Sequence, residues 1–145
     1  MAPQMATQTA ETNSRPRQLG RSAMALLVGF VVGVVLSLGT DFVLHLVGVF
    51  PALGDPVGSK PLLLATIYRT IYSVLACYVT ARLAPDRPMG HALTAGAIGF
   101  AISTLGAVVT WNKGPAFGPH WYPVVLIVLA MPSAWLGGKL RRIQP

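Results

Sequence analysis

Five residues carry the chemistry this chain offers: Asp41, His45, Tyr68, Arg69 and Tyr72. Asp41 and Arg69 are the two of its fifteen charged residues that lie well inside long apolar runs. A lone ion in hydrocarbon costs ~2.5–3.5 kcal/mol on insertion scales, so opposite charges at that depth are expected to pair and to mark a site. A planar guanidinium matches a carboxylate bidentately and keeps its charge where a lysine would release its proton. A phenol from Tyr68 or Tyr72 donating to Asp41 would support the carboxylate. His45 stands one helical turn beyond Asp41, and its ring could be held as a cation by that anion or donate while neutral. Three readings follow. The pair is a structural lock between two helices, a proton-coupled or anion-recognising site, or a metal site. The last would use the i, i+4 spacing of Asp41 and His45 with His120, and the charge of Arg69 opposes it.

The elements that must hold these residues are set by composition. Apolar residues make up 53% of the 145, charged residues 10%, and the mean hydropathy is +0.60, far from the roughly 25% charged usage of soluble domains. Four apolar runs of spanning length stand at residues 22–50, 61–83, 91–111 and 121–140. The intervals between them are loaded with proline and glycine, as in Lys113-Gly-Pro-Ala-Phe-Gly-Pro119. Barrel strands would alternate in polarity over ~10 residues, whereas these runs are continuous. Helices satisfy every backbone group within the segment. The expected fold is therefore all-α, a four-transmembrane-helix bundle over residues 20–142. Residues 1–19, rich in Thr, Gln, Asn, Ser and Pro, read as a disordered tail. The run after Arg21 exceeds the apolar region of a signal peptide and reads as a retained first span.

Lys and Arg orient the bundle. The tail, the second interval and the C-terminus hold Arg15, Arg17, Arg21, Arg82, Arg87, Lys139, Arg141 and Arg142, against Lys60 and Lys113 in the other two intervals. The positive-inside rule then puts both termini in the cytoplasm, N-in and C-in. Trp111, Phe117, Trp121 and Tyr122 gather near the opposite boundary as interfacial anchors. The sequence pI near 10.4 points to an anionic lipid surface and not to nucleic acid, because the basic residues bracket apolar runs. Small residues recur at every fourth position in the first run, at Ala25, Gly29, Gly33 and Ser37, and in the third at Ala95, Gly99, Ser103 and Ala107. In lipid such faces bring backbones together, so Gly29, Gly33, Ser37, Ala95, Gly99 and Ser103 are expected at helix contacts. Burial within one bundle and a homo-oligomer interface both fit. Asp86 and Ser59 read as helix-entry caps, Cys77 as a packing residue, and Pro132 as a kink within the fourth run.

No phosphate-binding glycine loop, zinc-ligand spacing or nucleophile elbow occurs, so neither a catalytic residue nor a cofactor is assigned. The segments Thr40-Asp-Phe-Val-Leu-His45, Tyr68-Arg-Thr-Ile-Tyr72, Ala81-Arg-Leu-Ala-Pro-Asp-Arg-Pro-Met89 and Trp111-Asn112 with Phe117-Gly-Pro-His-Trp-Tyr-Pro123 resemble a group of small, uncharacterised bacterial four-helix integral membrane proteins. That resemblance implies a bacterial plasma membrane location and transfers no activity. Small multidrug-resistance transporters also have four short spans, but they carry an essential glutamate in the first, and this chain has none after Glu11. The leading expectation is a small accessory or structural membrane component with an Asp–Arg ion pair, partnered by the bilayer and by a homo-oligomer or larger membrane complex. The rival is a solute or proton-coupled transporter or channel using the polar cluster. A membrane enzyme is the third class, expected to bind a lipid or quinone beside that cluster.

Overall fold

The computed structural model describes residues 2–144, with side chains from residue 18 onward. These residues form α1 (Ala2–Leu46), α2 (Ser59–Leu83), α3 (Pro88–Thr110) and α4 (Trp121–Ile143), with a 3-10 turn at Pro115–Phe117 ahead of α4. Four helical segments, the first being Gln18–Leu46, are long and apolar enough to cross a membrane. The tail expected over residues 1–19 falls, through residue 17, outside the residues whose side chains are described. Large apolar side chains cover the outer faces, Phe42 and Leu105 each being 65% exposed. Such a continuous apolar exterior suits a hydrocarbon solvent.

The first apolar run ends as a helix at Leu46, four residues earlier than its composition suggests, because Gly48 adopts a left-handed φ of 74°. Gly48 N–H donates to the His45 carbonyl at 3.2 Å and Val49 N–H to the Leu44 carbonyl at 2.9 Å, the paired bonds of a Schellman stop. The chain then turns so that Phe50 is buried with Ala65 and Tyr68. The two expected caps are not used as such. Ser59 is the first residue of α2, whose N-cap, Gly58, makes no side-chain cap bond. Arg87 precedes α3 in the left-handed region, with φ 41°, and no side-chain cap bond is made there either.

Close packing of small residues builds the bundle. α4 lies against both α2 and α3, α1 packs chiefly on α2, and α1 meets α3 only slightly. On α1 the Gly29 and Gly33 face is seated on α2: a β-carbon at Gly29 would stand 2.7 Å from the Ala76 carbonyl oxygen, and one at Gly33 would stand 3.2 Å from Ala76 Cβ. Ala25 on the same stripe is buried. On α4, a β-carbon at Gly137 would meet the Val74 carbonyl oxygen at 2.6 Å, and one at Gly138 would meet Ala92 Cβ at 3.0 Å. Between them sits a core of Cys77, Ala81, Ala92 and Ala134. α4 continues through Pro132.

The third helix departs in part from expectation. Its buried residues are Ala92, Gly96 and Ala107; Gly96 sits against Ala130 and Ala134 of α4, and Ala107 belongs to the expected stripe. Ala95 packs at the margin of the core, whereas Gly99 and Ser103 line a cleft, and a β-carbon at Gly99 would meet nothing within 4 Å. One residue of offset turns a helix face by ~100°, enough to exchange a seam for a wall.

Candidate functional site

The site is assembled at the connected ends of α1 and α2. Asp41 lies five residues before the end of α1 and Arg69 ten residues after the start of α2, so the antiparallel pair brings both to nearby depths, roughly 8 and 15 Å from their helix ends. Arg69 Nη2 donates to Asp41 Oδ2 at 2.5 Å. The Tyr68 hydroxyl donates to Asp41 Oδ1. Adjacent residues of one helix thus supply one donor to each carboxylate oxygen. The bidentate fork expected from Arg69 is not formed, because Tyr68 occupies the second oxygen. Arg69 Nε is buried without a hydrogen-bond partner among the described residues.

Tyr72 stands one turn below Tyr68, their rings 5.7 Å apart, and its hydroxyl pairs with Thr40 Oγ1 at 2.9 Å and not with Asp41. His45 Nδ1 lies 2.8 Å from the backbone carbonyl of Asp41, one turn back in its own helix. A carbonyl only accepts, so this nitrogen carries the proton. The His45 ring also packs against Phe50 with centroids 5.2 Å apart. His45 therefore closes the last turn of α1, where a donor suits the exposed carbonyls. Across the bundle His120 stacks on Trp111 at 4.3 Å and donates from Nε2 to the Trp111 carbonyl at 2.9 Å, so its hydrogen-bonding nitrogen serves the α3–α4 connection.

Beneath the polar cluster runs a cleft of about 720 Å³, walled by all four helices. Its walls are largely aliphatic, with hydroxyl residues Ser37, Thr70, Ser73, Thr80, Ser103 and Ser133 among them, and Arg69 stands at one end. Gly33 and Gly99 keep its opposing walls thin. Thr40, Phe50 and Tyr122 complete the surroundings of the ion pair, the last packing against the cluster of Phe50, Ala65 and Tyr68. Thr40 adjoins Asp41 in sequence but carries no signal of its own. Phe50 could have been found from Gly48, which announces a reversal of the chain.

The cluster can therefore fasten α1 to α2 and present one cationic edge to a mainly apolar cleft. Comparison with known proteins adds no inherited assignment: no family model, curated protein or solved structure matches the chain.

Proposed function

We propose that this chain is a small structural or accessory component of a bacterial plasma membrane, multi-pass, with both termini cytoplasmic. The observation that carries the reading is the division of the Asp41 carboxylate between Arg69 and Tyr68: both charges are used in joining two helices. The basic residues at one set of helix ends support the orientation, and the resemblance to small bacterial four-helix proteins supports the location. The bilayer and a homo-oligomer or larger membrane complex are the partners this role implies. In this role Asp41→Asn and Arg69→Gln each lower the yield of folded protein, since each leaves its part-buried partner as an uncompensated charge among apolar helices. The double apolar replacement Asp41→Leu with Arg69→Met restores it. Monodispersity after detergent extraction measures the recovery, and a double variant as poor as the singles refutes the lock.

A second reading, a solute or proton-coupled transporter, is favoured by the position of Arg69 at the end of the cleft. It requires that purified protein in vesicles support pH-dependent flux of a solute, abolished by Asp41→Asn while the helices remain folded.

A further inference from the structure

We propose that the cleft between α1 and α3 is a lipid site that takes one acyl chain of a glycerophospholipid, with its ester carbonyl oxygen accepting from Arg69. The inference is independent of whether the ion pair is a lock or part of a transport route. Three observations carry it. The first is shape. On α1 the lining extends from Ala23 to Leu38, a length of ~22 Å at the helical rise, which exceeds one leaflet of a ~30 Å hydrocarbon core. A volume of about 720 Å³ lies within the roughly 300–1,000 Å³ of ligand sites. The second is access. α1 packs chiefly on α2 and approaches α3 only slightly, which leaves a lateral entrance along the helices for a chain arriving from the bilayer.

The third is polarity. Aliphatic side chains form most of the wall, and dispersion contact with a hydrocarbon chain is what such a wall rewards. The charged residue of the lining is Arg69, at the end nearest the α1–α2 connection. Its Nη2 is committed to Asp41 and its Nε is buried, but the side chain as a whole is 34% exposed and lines the cleft, so the open edge of the guanidinium is what a ligand there can reach. With the Asp41 carboxylate balancing the guanidinium, that edge calls for a neutral acceptor, which an ester carbonyl supplies. The lipid thus lies with its glycerol region towards the α1–α2 connection and its tail between the glycine-thinned walls of α1 and α3.

The test is photolabelling in phosphatidylcholine vesicles by a phosphatidylcholine with a diazirine midway along one acyl chain, with the labelled residues mapped by mass spectrometry. Labelling should concentrate on Gly33, Ser37 and Ile102 over the outward-facing Leu105 and Val108. Gly99→Leu, which adds a side chain where a β-carbon meets nothing within 4 Å, should cut cleft labelling about tenfold, the equivalent of roughly two buried methylenes of lost contact. Gly106→Leu is the control, since Gly106 also has open space but does not line the cleft; it should leave labelling unchanged. Ile102→Trp gives a second cleft-filling variant if Gly99→Leu is poorly folded, and should produce the same loss. Equal labelling of cleft and outer faces, or labelling indifferent to both cleft variants, overturns the proposal. Displacement of the label by equimolar free fatty acid overturns the phospholipid assignment.

Discussion

At the scale of residues, the two tyrosines of Tyr68-Arg-Thr-Ile-Tyr72 should separate cleanly. Tyr68 is buried and serves one oxygen of Asp41, so Tyr68→Phe leaves a carboxylate oxygen without its donor, at a cost of about 1–3 kcal/mol. Tyr72 serves the hydroxyl of Thr40, and Tyr72→Phe removes an ordinary neutral bond whose net worth is about 0.5–1.5 kcal/mol. Thermal unfolding in one detergent should therefore show the larger fall for Tyr68→Phe. Equal falls would mean that the bond from Tyr68 to Asp41 is worth no more than an ordinary neutral one. The pairing of Asp41 with Arg69 was legible because charges within apolar runs are costly enough to seek each other. The choice of Tyr68 over Tyr72, and the turn of His45 towards its own backbone, depend on rotational phase and on competition from nearby carbonyls. Neither leaves a mark in residue spacing.

At the scale of elements, glycine position decides what a helix tolerates. Gly29→Val should weaken the α1–α2 seam, because its added carbons meet the Ala76 carbonyl and the Thr80 side chain, and overpacking of this kind costs about 1–3 kcal/mol. Gly39→Val should be tolerated, since a β-carbon there meets nothing within 4 Å. The fraction of monodisperse protein on mild heating distinguishes them, and a Gly29→Val variant as robust as Gly39→Val would remove Gly29 from the seam. Gly48→Ala should cost about 1 kcal/mol through its left-handed φ, read in the same assay. The four helices were legible from unbroken apolarity, and the first small-residue stripe from its four-residue recurrence. In the third helix the expected stripe meets the packing at Ala95 and Ala107 but lines the cleft at Gly99 and Ser103, because Ala92, Ala95, Gly96 and Gly99 are all small and offer no contrast. Ala130, Ala134 and Gly138 carried the same recurrence in α4, obscured there by Trp135, Leu136 and Pro132.

At the scale of the whole molecule, the distribution of Lys and Arg predicts which ends share a compartment. In a Cys77→Ala background, which replaces a buried thiol, cysteines placed singly at Asp55 and Lys113 should react with an impermeant maleimide added outside intact cells. Cysteines at Arg87 and Ile143 should react only after permeabilisation, and the reverse pattern would invert the orientation. Helix count and charge bias were legible because they depend on composition alone. The slight contact between α1 and α3, and hence the cleft, was not: it depends on which flank of α2 each neighbour takes, and both flanks are apolar. The bridge from α1 to α2 also constrains synthesis. Asp41 emerges from the ribosome 28 residues before Arg69, so in the membrane role proposed above an acidic side chain reaches the insertion machinery ahead of its counterion. The first helix is thereby made a provisional tenant of the bilayer, secured when the second arrives beside it, and the two are best delivered as a single hairpin.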